Sequence, residues 1–160
     1  MAQTKKIKWD RKTGPAENAR RELPKLAHDY FAEMREALAG DPEPADLHPT
    51  RLASKRFRYA LELFRPCYAA GLEERIEQLK ELQDLLGDCN DAVTAAGTVD
   101  EVLKGRTAEG NRLRRYLNHL AAEKAAEFRK HWTEKFDASG QEEWWAGYLA
   151  RNARPPVKEK

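Results

Sequence analysis

Between residues 17 and 136 apolar side chains return every three or four positions, and nowhere do they alternate with polar ones over a strand's length. That spacing commits the chain to helices that each bury one face. Turn-forming residues divide the pattern. A glycine and two prolines break it at residues 40–46 (GDPEPAD), and Pro66 with Gly71 breaks it again. The resulting expectation is an all-α fold, a four-helix bundle followed by a short C-terminal helix.

The first helix is predicted over residues 17–38, with Ala19, Leu23, Leu26, Ala27, Tyr30, Phe31, Met34 and Leu38 on one face. Pro24 removes a donor and crowds the preceding turn, so a kink, or a helix start at Leu23–Pro24, is expected. The second runs over residues 47–64, with Asp46 as its N-cap and Pro49 in its first turn, where a missing N–H costs nothing. The third covers residues 72–93 and buries Ile76, Leu79, Leu82, Leu86, Cys89 and Val93. Gly87 lies inside it. A helical glycine costs about 1 kcal/mol against alanine, so it is expected to mark the close approach of another helix. Residues 96–106, with Gly97 and Gly105, read as a loop that has room for a short helix over 99–103. The fourth helix spans residues 109–136 and turns Leu113, Tyr116, Leu117, Leu120, Ala121 and Phe128 inward. Residues 141–151 form the short helix. Its Trp144, Trp145 and Tyr148, together with Trp132, either cap the core or make a dimer contact.

The expected organisation is a basic arm over residues 1–15, a bundle over 16–151 and a disordered tail over 152–160. The arm carries Lys5, Lys6, Lys8, Arg11 and Lys12 around Trp9. Net charge is only +2, so an anion site has to come from local clustering. Cys67 and Cys89 are the only cysteines and form no CxxC pair, which points to a reduced, cytoplasmic compartment. No apolar run is long enough to cross a bilayer, so no membrane partner is expected, and no apolar segment follows the charged N-terminus as in a signal peptide.

The second helix carries the chemistry. On a helical wheel His48, Arg51, Lys55, Arg58 and Arg65 share an arc with a single acid, Glu62. The core stripe of Ala53, Phe57, Ala60, Leu61 and Phe64 lies on one side of that arc, and Leu52, Tyr59 and Leu63 lie on the other. A stripe with apolar residues on both sides suggests cationic heads lining a groove between packed neighbours. Its cations span about 15 Å of helix and repel one another. A polyanion relieves that repulsion best, and arginine forks suit phosphate oxygens. Arg20, Arg21 and Lys25 make a second basic cluster on the first helix, together with His28 and Arg35; the first three, with Lys124, are further candidates for binding polyphosphate, or else part of a solvated face. Lys124 falls inside the apolar arc of the fourth helix, either snorkelling outward or reaching the same groove. On the third helix Asp84, Asp88 and Asp91 share a side. They hold a metal or act as acid and base, or else Asp88 and Asp91 orient the arginines of the second helix. No P-loop and no HExxH zinc signature is present.

Two motifs in order, His48, Arg51, Lys55–Arg56, Arg58–Tyr59 and then Leu86–Gly87 with Asp91, resemble the CHAD family, the conserved histidine α-helical domain. The resemblance covers roughly residues 17–136. It implies an all-helical, non-catalytic module without a cofactor that binds inorganic polyphosphate, located in the cytoplasm and at polyphosphate granules. It also implies His48, Arg51, Lys55, Arg56 and Arg58 as phosphate-binding residues, with His48 either donating to phosphate or bonding a neighbouring loop or Asp. Such domains are commonly two similar four-helix halves around a basic channel. One histidine motif in 160 residues corresponds to a single half, so the channel would be completed by a homodimer, or left as an open groove. Three other readings compete with polyphosphate binding. They are binding of nucleic-acid phosphates, metal-dependent phosphohydrolysis at the aspartates, and a purely structural bundle whose arginines are paired internally.

Overall fold

The computed structural model describes residues 6–103 and 107–157. Five α-helices follow one another among them, α1 (Pro15–Leu38), α2 (His48–Leu63), α3 (Ala70–Leu103), α4 (Ala108–His131) and α5 (Gln141–Arg151). Tight turns at Pro44–Asp46 and Arg65–Cys67 flank α2, and one π-helical turn, Trp132–Phe136, ends α4. The helices close a ring in which α2 lies between α1 and α3, α4 packs on α3, and α5 returns to α1. No strand occurs among the described residues.

The start of α1 shows tertiary packing overriding propensity. The helix begins at Pro15 and runs through Pro24 without ending. An interior proline costs about 3 kcal/mol, so the turns before it must be held independently. Ala16, Ala19 and Leu23 are buried there, and Asn18, fully buried, ties the arm to the helix. Its amide donates to the Asp10, Thr13 and Gly14 carbonyls, and its Oδ1 accepts from the Asp10 N–H at 2.8 Å. The described part of the basic arm is thereby fixed. Trp9 stacks on Phe64 with ring centres 6.2 Å apart. The arm's first residues, Lys5 among them, lie outside the described residues.

Other boundaries also differ from expectation. Asp46 does not cap α2. It belongs to the preceding turn, and the Thr50 hydroxyl donates to the Leu47 carbonyl instead. The loop expected over residues 96–106 is helical as far as Leu103, because Ala92 and Ala96 are buried on the same face of α3. Residues 104–106, Gly105 included, lie outside the described residues. Thr107 caps α4 by accepting from the Gly110 N–H, and a Cβ on Gly110 would stand 2.7 Å from Leu103 Cδ1. The two long helices therefore meet closely at this end. With 34 residues against 16, α3 outruns α2, and the first turns of α4 pack on the overhang. This leaves Leu113 and Tyr116 exposed, although their spacing placed them inward.

An aromatic core joins the ring. Tyr30 stacks on Phe57 at 4.7 Å, Phe136 on Trp132 at 5.4 Å, and Trp145 on Phe136 at 5.6 Å. Trp132 and Trp145 are buried, so of the two roles open to the C-terminal aromatics they fill that of capping the core. Beside them the Arg75 guanidinium is sandwiched 3.4 Å from the Trp144 ring centre and 3.9 Å from that of Tyr148. It donates to the Gly71 and Trp144 carbonyls, and burial pulls its pKa down to about 10. After α5 the chain stays attached. Ala153 is buried and the Arg154 N–H donates to the Cys67 carbonyl at 2.7 Å.

Gly87 does not sit against another helix. A Cβ built there meets nothing within 4 Å. Gly87→Ala is therefore expected to raise stability by about 0.5–1 kcal/mol by removing the helix penalty of glycine. The urea midpoint measures it, and a fall in that midpoint would show that the space is not free.

Candidate functional site

The flank of α2 that faces α1 carries Arg56, which is ion-paired with Glu33 of α1. On the other flank Arg51 meets α3. There His48 and Arg51, with Leu47 and the Pro44–Ala45 turn, line a shallow cleft, open to solvent, whose far wall is Leu86, Cys89, Asn90 and Val93. Lys55 and Arg58 continue the line along α2. Helical geometry thus produces one edge of a groove, with the side chains of α3 as its wall.

The cations sort by what they touch. Arg20 donates to the Ala153 carbonyl at 2.7 Å and holds the C-terminal segment. Arg21 bonds the Lys8 carbonyl, Asn18 and Glu22, and Lys25 bonds Glu22 at 3.1 Å. Lys124 bonds Glu127 at 3.2 Å. Arg35 and His28 both reach Glu142 of α5, and Arg35 also reaches Asp137. Arg65 pairs with Glu73. All of these serve the fold or a neighbour on their own surface.

The central stripe is different. The side chains of His48 and Arg51 make no hydrogen bond or ion pair among the described residues, and that of Lys55 makes only a contact with the Tyr59 ring, 6.0 Å to its centre. Arg58 lies 5.0 Å from the same ring centre, and Glu62 is 3.6 Å from its Nε, too far for a hydrogen bond. That Nε is buried without a hydrogen-bond partner. A desolvated donor of this kind is costly to leave unmade. The stripe therefore holds two cations, Arg51 and Lys55, and the His48 imidazole free of carboxylates, and a third cation, Arg58, only loosely compensated.

The carboxylates of α3 stand apart from this edge. Asp84, Asp88 and Asp91 are exposed, and among the described residues neither Asp88 nor Asp91 pairs with an α2 arginine. Asp88 instead feels Lys124 of α4. No group of three His, Cys, Asp or Glu residues among the described ones could hold a metal ion. Sequence reasoning missed two parts of the site, Asn90 and the Pro44–Leu47 turn. Asn90 lies inside the LLGDCND segment and was within reach of helical spacing, one turn after Leu86. The turn was not, because its position depends on how residues 40–47 cross to α3.

A family model, the CHAD domain, matches residues 3–100, well over half of the chain. The chain belongs to the CHAD family. The match contains the whole of α1 and α2 and ends inside α3, so the stripe of α2 and the Leu86–Asp91 segment both fall within the CHAD region. No curated protein and no solved structure shows significant similarity to the chain. No helix among the described residues is long and apolar enough to cross a membrane.

The internal pairs carry a pH signature. Burial pushes the Glu142 carboxyl up, but hydrogen bonds from His28 and Arg35 outweigh it and hold the pKa below the ordinary value. A carboxyl with a depressed folded pKa adds stability above its unfolded pKa and loses it as pH falls through the folded one. Glu142→Gln should lower stability by about 1 kcal/mol or less at pH 7 and flatten the loss of Tm below about pH 4.5. Thermal melts across that range measure it. An unchanged acid limb would show that the pair does not couple to folding.

Proposed function

We propose that this CHAD protein is a non-catalytic binding module for a linear polyanion, inorganic polyphosphate first, held along the stripe of α2. The observation that carries this reading is the sorting of the cations. Arg20, Arg21, Lys25, Arg56 and Lys124 all have partners, while His48, Arg51 and Lys55 have no carboxylate and Arg58 has Glu62 only at 3.6 Å. An internally paired bundle would not leave its densest cationic row uncompensated. Family membership supports the same class of ligand.

Each residue then has a defined role. Arg51 and Arg58 present forks to phosphate oxygens, one on each side of Lys55, which supplies a point charge. His48 and Asn90 stand at the cleft where the row begins, and both carry groups able to donate to an anion. Affinity comes from released counterions and charge-assisted bonds, so it falls steeply with salt. The ring beside the row, Tyr59, has cations near its face, which leaves it poorly placed as a platform for stacked bases.

Replacing Arg51, Lys55 and Arg58 together by glutamine should leave the helical circular dichroism and Tm nearly unchanged. Polyphosphate binding should weaken, and the slope of log K against log salt should fall by about two to three. Arg56→Gln, by contrast, should affect stability more than binding. Binding titrations over a salt series, with an equal-phosphate DNA competitor, decide the matter. Unchanged polyphosphate affinity in the triple variant, or a preference for DNA, would overturn the proposal.

A further inference from the structure

The chain that crosses from α1 to the cleft is bent and stiff. Gly40 and Asp41 have φ of 76° and 52°, both in the left-handed region. Glycine adopts that region freely. An aspartate there is strained, and such a residue persists only where its surroundings hold it. Pro42 and Pro44 follow, and Glu43 between them is extended, with φ −60° and ψ 154°. Proline fixes its own φ and confines the residue before it. A shift at Asp41 is therefore passed on to Pro44 and Ala45, which line the cleft beside His48 and Arg51.

Arg129, in the last turn of α4, is what holds this bend. Its Nε lies 2.9 Å from the Asp41 carboxylate, and its Nη2 donates to the Pro42 carbonyl. One guanidinium thus grips the strained residue and the peptide after it. The Asp41 side chain is 82% exposed, and an ion pair with so exposed a partner adds little to stability. What the pair does fix is the place of the loop. Burial pushes the Cys89 thiol up and the Arg129 charge pulls it back, so Arg129 also stands near the far wall of the same cleft.

We propose that Arg129 is a positioning residue for the polyanion site. Through Asp41 and Pro42 it sets the Pro44–Ala45 wall against His48 and Arg51, without itself touching the ligand. The inference rests on the polyphosphate reading of the α2 stripe. It gives α4, which lies beyond the residues that the CHAD model matches, a part in shaping the start of the row.

Asp41→Asn is the deciding variant. Asparagine tolerates the left-handed conformation, the side chain is in water, and one negative charge is removed. Charge alone predicts tighter binding of a polyanion. The positioning role predicts the opposite, a polyphosphate affinity about fivefold weaker across a salt series, the worth of one ordinary hydrogen bond. Arg129→Gln should weaken binding by a similar factor with the slope of log K against log salt unchanged, and the double variant should bind no more weakly than either single one. Unchanged or tighter binding by Asp41→Asn would overturn the positioning role and leave the binding reading intact. So would a slope lower by about one in Arg129→Gln, the mark of a direct phosphate contact. Absence of polyphosphate binding in the unmodified protein would overturn both.

Discussion

The stack of Tyr30 on Phe57, ring centres 4.7 Å apart, fixes the rotation of α2 about its own axis. Phe57, Leu61, Phe64 and Ala53 are buried with it, so one face of the helix has nowhere else to point. The remaining directions follow from about 100° per residue. Arg56 is delivered to Glu33, Arg51 is carried to the cleft at α3, and Leu52, Tyr59 and Leu63 are left in water. The side chains that decide where the charge goes therefore carry no charge themselves.

Magnitudes explain why the helix tolerates its own repulsion. Like charges one turn apart on an exposed helix cost a few tenths of a kcal/mol per pair. Burial of a Phe or Leu gains about 1.5–3 kcal/mol each. Two or three unfavourable charge pairs are outweighed by Phe57 and Leu61 alone. The fold relieves the repulsion only at Arg58, where Glu62, the one acid in the row, lies 3.6 Å from Nε. The strain stays local and remains available to whatever anion neutralises it.

The sequence was most legible where one face of a helix meets the core. Its periodicity placed the apolar faces of α1 and α2. It failed where an outcome depends on distant chain. The partner of Arg20 lies 133 residues away, so a cation that pins the C-terminal segment looked equivalent to one free for phosphate. Leu113 and Tyr116 have core spacing, but the elements that would cover them end earlier than α3 does. Gly87 was read as a contact and proved to be an opening, because a missing side chain signals either one. At Pro24 the alternative of a helix start is overturned by the turns before it, which the buried Asn18 holds.

This division of labour among the cations has a consequence for how the site can change. Arg20, Arg21 and Arg56 are bound into backbone or carboxylate contacts, so a substitution there is felt first by the fold. Arg51 and Lys55 have no such contact among the described residues, and their replacement leaves no buried acceptor orphaned. Arg58 is intermediate, with a flank against Tyr59 and a buried Nε 3.6 Å from Glu62. Substitution at Arg51 or Lys55 therefore changes the charge along α2 at nearly constant stability.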